Sequence, residues 1–176
     1  MEIRIMRPEE QAELTEFAKG FNKFVKDMPA IWSRWKLWET QPPLVAIVDG
    51  KIVGFAAANF LKNDYMNHLY TGIAPSMEGT GIGKQLIWAN IQRAQALGLT
   101  RFTGKTDLVL GGKNFLMALG MVPLVYTATE CIFDCEFGDS ATLEEFRARL
   151  ASGVANTPAT ERKLKLFAKN GYTLLY

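Results

Sequence analysis

Apolar and polar residues along this chain change their period several times, and each change marks an element. Residues 2–7 alternate as a strand does, and Pro8 in a first helical position, with Glu9 and Glu10 beside it, predicts a helix to about Phe21. Residues 28–39 carry Ile31, Trp32, Trp35 and Trp38 at three- and four-residue spacing, a second helix that Gln41-Pro42-Pro43 stops. Leu44–Val48 and residues 51–60 read as strands around Asp49-Gly50, a two-residue hairpin turn in which both positions can take positive φ. Tyr65–Ile73 is a third strand of this run. Leu86, Ile87, Ala89, Asn90, Ile91, Ala94 and Leu97 then form the stripe of a long helix that Gly98 closes. Residues 100–106 read as a strand, residues 112–119 as a short helix ended by Gly120, and residues 122–137 as one long or two short strands. Thr142-x-x-Glu145 is a capping box for a helix to about Leu150, and Thr157-Pro158 opens another that ends near Asn170-Gly171.

At 176 residues the chain matches one ordinary domain with a full core. The stretch 151–156 reads as a connection within that domain, since the tail beyond it is too short to fold alone. No apolar run reaches bilayer length and the N-terminus lacks a signal-peptide pattern, so the expected setting is cytoplasmic, with no membrane partner. Twenty basic against 18 acidic residues leave a net charge of +2, which gives no field demanding nucleic acid or a membrane surface. Cys131 and Cys135 stand about 13 Å apart on an extended strand, too far for a disulfide, and read as buried thiols. A single histidine, His68, and no Cys-x-x-Cys spacing exclude an ordinary structural zinc site.

The richest chemistry lies in Ile73-Ala74-Pro75-Ser76-Met77-Glu78-Gly79-Thr80-Gly81-Ile82-Gly83-Lys84-Gln85-Leu86. Three alternating glycines between a strand and an amphipathic helix let the backbone turn tightly with its amides inward, and the helix adds unpaired N–H groups and a positive dipole end. A pyrophosphate would fit there. The segment has no Gly-Lys-Ser/Thr ending for a P-loop, and no initial βαβ unit with an acidic second strand for a dinucleotide fold.

The element order, together with Ile73-x-Pro75, the Gly79-Thr80-Gly81-Ile82-Gly83 run and Phe115-Leu116-Met117-Ala118-Leu119-Gly120-Met121, resembles the GNAT superfamily of acyl-CoA-dependent N-acyltransferases over about residues 2–134. The resemblance implies an α/β (α+β) fold with a mixed, mostly antiparallel central sheet flanked by helices. It divides the chain into an acyltransferase domain at 1–137 and a C-terminal helical and strand extension at 138–176, packed on the same domain. It implies a transferase that moves an acetyl or other acyl group from acetyl-CoA or another acyl-CoA to an amine of a small molecule, peptide or protein, acting as monomer or homodimer. The cofactor would lie against Thr71, Gly72, Ile73, Gly79, Thr80, Gly81, Ile82, Gly83, Lys84 and Phe115, with an N–H at the end of the Tyr65–Ile73 strand stabilising the oxyanion.

Two residues depart from the family pattern. Glu78 stands where Gln or Arg is usual, and Leu116 where many members carry a tyrosine that protonates the leaving thiolate, with Val109 in place of a preceding asparagine. A thiol of pKa near ~8.5 is a tolerable leaving group that solvent can protonate, and a missing general acid costs about 10²–10⁴ in rate. For the proton on the amine the candidates are Asp107, His68 and a water held at Asn67, although a lone histidine on a strand also suits a hydrogen-bonded structural role and a strand-end acid a helix cap. Trp32, Trp35 and Tyr70 are candidates for the acceptor side, with core packing the competing reading of the tryptophan stripe. The basic amphipathic segment 162–169 reads as a solvated face. Two other functions stay open: a nucleic-acid base-modifying enzyme resembling the phage Mom type of DNA modification, from Asp107 ahead of the glycine turn and Phe115, and a silent acyl-CoA-binding module.

Overall fold

The computed structural model describes residues 1–61, 64–108, 112–155, 165, 169 and 173–174. Two compact units emerge, one of residues 1–60 and 68–93, the other of residues 61–67 and 94–176.

β1 (Glu2–Ile5), β2 (Leu44–Val48), β3 (Lys51–Leu61) and β4 (Tyr65–Ile73) lie in the order β1-β2-β3-β4, all in the first unit except Leu61 and Tyr65–Asn67. β1 pairs antiparallel with β2, and β2 with β3. The β2–β3 turn is the expected two-residue hairpin: Val48 faces Lys51, and Asp49 and Gly50 have φ of 49° and 76°. The register slips beside Ile47, where Gly54 faces Ala46 but Ile52 faces Ile47. Val53 is the extra residue of a bulge, and the slip decides which side chains reach which face. Ile52, Phe55 and Ala57 join Val45 and Trp32 in one cluster, while Val53 and Ala56 join Ala46, Ile82 and Leu86 in the other. Gly54 sits on the second face with no room to grow, since a Cβ there would come 2.8 Å from Ile73 Cδ1.

A 3₁₀ turn (Pro8–Glu10) leads into α1 (Gln11–Ala18), which covers the first cluster together with α2 (Lys23–Lys26), α3 (Met28–Arg34) and α4 (Leu37–Thr40). The second is covered by the long helix α5 (Ile82–Ala96). Two expectations change here. The first helix ends at Ala18, earlier than Phe21, and the tryptophan helix is two helices broken at Lys36, which is left-handed at φ 55°. Within the stripe Trp32 is fully buried, whereas Trp35, at the C-terminal cap of α3, is 57% exposed. Leu97, expected on the α5 stripe, is also exposed because α5 ends at Ala96.

In the second unit the strand order is β5-β7-β6-β8, with β5 (Arg101–Asp107), β6 (Pro123–Tyr126), β7 (Glu130–Glu136) and β8 (Thr173–Leu174), all three pairings antiparallel. Residues 122–137 are thus two short strands. α6 (Gly112–Ala118) follows β5, and α7 (Leu143–Ala151) opens with the expected capping box, Thr142 Oγ1 accepting from Glu145 N–H at 3.1 Å. Phe102, Phe133, Phe137 and Phe146 fill the interior, and Cys131 and Cys135 are buried free thiols on β7. Burial drives both thiol pKa values up, so neither is a ready nucleophile. Asp134 is buried and held by Arg101, whose Nη2 donates to Asp134 Oδ1 at 2.7 Å. The fold is therefore mixed α/β with mostly antiparallel strands and flanking helices, as expected. The helix expected after Thr157 falls outside the described residues.

Candidate functional site

The site is built from the end of β4, the glycine loop and the first turn of α5, all within the first unit. β4 hands over to the loop at Ala74, whose N–H donates to Val53 O at 2.8 Å, and Pro75–Met77 then make one 3₁₀ turn. Glu78 is extended and exposed. Gly79 and Gly81 follow at φ 76° and 88°, in the left-handed region that L side chains avoid, and a Cβ at either would meet nothing within 4 Å. The space above these glycines is open, which is the form of a cradle rather than of close packing. Gln85 N–H donates to Gly81 O, so the helix proper starts there and the N–H groups of its first residues point out of its end.

No acidic residue lies in the first turn of α5, and Lys84 sits in that turn, so the positive end of the helix dipole is not neutralised from within. The Thr80 hydroxyl is engaged inside the loop, donating to Met77 O at 2.6 Å. Glu78 brings an opposing charge, and its exposure lets solvent screen it.

Just upstream, β4 departs from regular alternation. Leu69 and Tyr70 are adjacent yet both pack against the same cluster, and Gly72 shares that face, a Cβ there lying 2.6 Å from Phe55 Cε1. His68 Nε2 and Thr71 Oγ1 are 2.9 Å apart. Residues three apart on a regular strand point to opposite faces and sit about 10 Å apart, so this bond requires a bulge at Leu69–Tyr70. The pairing of His68 with Thr71 was not foreseen, since a histidine and a threonine three apart carry no strand signal. His68 is 7% exposed, and burial pulls its pKa down to about 4, so the ring is neutral at physiological pH.

Of the acceptor-side candidates, Trp32 is a core residue: its ring is fully buried, its Nε1 donates to Gln41 O at 3.0 Å, and it stands edge-on to Tyr70 at 6.1 Å. Trp38 donates to Ser33 Oγ at 2.8 Å and packs on the same cluster. Trp35 presents its ring to solvent with exposed Arg34 and Lys36 beside it. Asn67, Asp107 and Phe115 belong to the second unit. Asn67 is half-buried on β4 and Phe115 half-buried on α6. Asp107 ends β5, its backbone paired with Glu130, and its side chain lies outside the described part of that residue, as does all of Val109. Leu116 is 3% exposed, an apolar side chain packed into the unit.

A sequence profile of the acetyltransferase (GNAT) family matches residues 10–116. The chain belongs to the acetyltransferase (GNAT) family. No match is found among curated protein sequences. Solved structures of the same fold include a GNAT-family protein from Desulfovibrio desulfuricans, at TM-score 0.65 and 14% identity, covering 77% of this chain and 98% of that one. The PaiA N-acetyltransferase of Thermoplasma acidophilum, in complex with coenzyme A, is similar at TM-score 0.61 and 17% identity over 76% of this chain and 96% of that one. The ribosomal-protein-S18-alanine N-acetyltransferase of Escherichia coli is similar at TM-score 0.62 and 12% identity over 80% and 96%. At these identities the likeness is one of fold. Membership of the GNAT family implies acyl-CoA-dependent acetyl transfer and acyl-CoA binding. Among the described residues no helix is long and apolar enough to cross a membrane, and no cluster of His, Cys, Asp and Glu could hold a metal ion.

Proposed function

We propose that this protein is an N-acetyltransferase that moves the acetyl group of acetyl-CoA to a primary amine by direct attack of the amine on the thioester. The observation that carries the reading is the glycine loop: Gly79 and Gly81 held at positive φ under open space, running into a helix whose first turn carries no acid. The N–H groups of Gly81, Ile82, Gly83 and Lys84 would hold the pyrophosphate, with Gly79 and Thr80 shaping the turn. The backbone of Thr71, Gly72 and Ile73 would lie along the pantetheine arm. Acetyl-CoA, when bound, supplies the acyl group already activated as a thioester.

The chain's own part is to orient, polarise and move protons. An N–H at the β4 bulge would stabilise the developing oxyanion, a role suited to a donor fixed before the reaction. Tyr70 and Trp35 would face the acceptor. With its pKa near 4, His68 is too weak a base to take a proton from an ammonium group at pH 7. The amine's proton would leave through water. With Leu116 buried where a tyrosine would act, the leaving thiolate would take its proton from water, and turnover would be slow for the family.

The test is release of free thiol from acetyl-CoA across a panel of small amines, amino-terminal peptides and lysine peptides, with acetylated product read by mass. Acetylated amine in stoichiometric balance with thiol supports the reading. Binding of acetyl-CoA with no amine acetylated in any class would reduce the protein to a binding module.

A further inference from the structure

Within β4, His68 and Thr71 are joined across three residues by a bond of 2.9 Å, on a strand whose geometry would otherwise send them to opposite faces. The residues between them, Leu69 and Tyr70, both enter the cluster under α1 and α3. A bulge of this kind takes the extra residue's N–H off the strand ladder and re-aims it. Bulges have no intrinsic preference for staying put on a flexible strand, so something must hold the irregular geometry. Here two supports converge on it. On one side Tyr70 is braced edge-on by buried Trp32, and Gly72 admits Phe55 and Phe21 against the backbone, a Cβ there lying 2.6 Å and 3.0 Å from their rings. On the other, the imidazole and the hydroxyl clip the chain together.

We propose that His68 and Thr71 are positioning residues, a side-chain staple that fixes the β4 bulge and thereby aims the backbone N–H that polarises the thioester carbonyl. The inference rests on the acetyl-transfer reading above. It gives His68 a role other than that of a base, in keeping with its burial and neutral ring. It also assigns the Thr71 hydroxyl to His68, leaving only the backbone of Thr71 for the coenzyme.

Two substitutions isolate the staple. Thr71→Val removes the hydroxyl at constant shape, and Thr71→Ser keeps it. In the unliganded protein, amide hydrogen exchange at Leu69, Tyr70 and Thr71 should run roughly 5- to 10-fold faster in Thr71→Val and at the parent rate in Thr71→Ser, the size of one hydrogen bond's effect on a local opening. With acetyl-CoA, Thr71→Val should lower kcat roughly 10- to 100-fold at unchanged acetyl-CoA affinity, because a misaimed donor is felt in the transition state. His68→Gln should behave as Thr71→Val does. Unchanged exchange in Thr71→Val overturns the staple, and an unchanged kcat with loosened exchange overturns its positioning role. Failure of the parent protein to bind acetyl-CoA would instead overturn the acetyl-transfer reading, and the exchange experiment would still decide the staple.

Discussion

Replacing Gly81 separates the backbone's conformational demand from simple crowding. The residue sits at φ 88°, and a Cβ there would meet nothing within 4 Å, so a larger side chain costs only what the left-handed backbone costs it. For an L-residue that is about 1–2 kcal/mol. Alanine also narrows the unfolded ensemble, which returns about 0.4–1 kcal/mol, leaving a net loss near 1 kcal/mol for Gly81→Ala. In a chain of this size that lowers the melting midpoint by roughly 2–4 °C. Asparagine tolerates the left-handed region better than alanine, and a β-branched residue tolerates it least. The expected order of stability is therefore Gly, Asn, Ala, Val, although Asn is larger than Ala. Acetyl-CoA affinity should fall in the same order, because relief of the strain rotates the amides that face the anion. Thermal melts and calorimetric titration on the four proteins read both quantities. An order that follows side-chain size, with Ala above Asn, would refute the conformational argument. Equal affinity across the series would refute the loop's part in binding.

Further outcomes follow from the buried charges and the loop. His68 titrates at 6.5 in the unfolded chain and near 4 in the fold, so its contribution to stability is complete above about pH 6.5 and is lost as pH falls toward 4. The shift of about 2.5 units, at 1.36 kcal/mol each, amounts to about 3 kcal/mol. Urea melts at pH 7 and pH 5 should accordingly show the parent losing about 2 kcal/mol more than His68→Gln does, and equal losses would contradict the burial of a neutral ring. Asp134→Ala removes the buried carboxylate from the Arg101 guanidinium, which is 17% exposed and keeps Glu136 at 3.9 Å and the Tyr65 ring as neighbours, and should cost about 3 kcal/mol by chemical denaturation. Asp134→Leu with Arg101→Met, which removes both charges, should recover much of that loss. Glu78→Gln should raise acetyl-CoA affinity roughly two- to fivefold at low ionic strength and have little effect at high salt, since the carboxylate is exposed and screened.

What could be read in the sequence were the features that backbone chemistry writes directly into residue type. Asp49-Gly50 announces its positive φ values because few other pairs accept them, and Thr142 with Glu145 announces a helix start because both side chains bond the orphan amides. Gly79 and Gly81 are of the same kind, which is why the loop was visible in advance. The α3–α4 break was hidden: the tryptophan spacing continues through it, and the left-handed residue is Lys36, which carries no glycine signal. Nor does the spacing tell that Trp32 is core and Trp35, three residues on at the end of α3, is surface. The irregularity in β4 was equally hidden, because the contacts around it, Trp32 on Tyr70, Phe55 on Gly72 and His68 on Thr71, leave no mark in the strand's apolar pattern. Proton handling depends on environment, and residue type alone left His68 open both as a base and as a structural residue until its burial was known.

The most direct measurement is the melting midpoint of the protein with saturating acetyl-CoA, alongside free coenzyme A, ATP and the Gly81→Ala protein. At 100 times its dissociation constant the ligand adds about 2.7 kcal/mol, a rise of roughly 5–10 °C. A rise of that size with acetyl-CoA and coenzyme A, absent with ATP and diminished in Gly81→Ala, is the predicted result. No rise with acetyl-CoA at millimolar concentration, or an equal rise in Gly81→Ala, would contradict the claim that the glycine loop and the start of α5 hold an acyl-CoA.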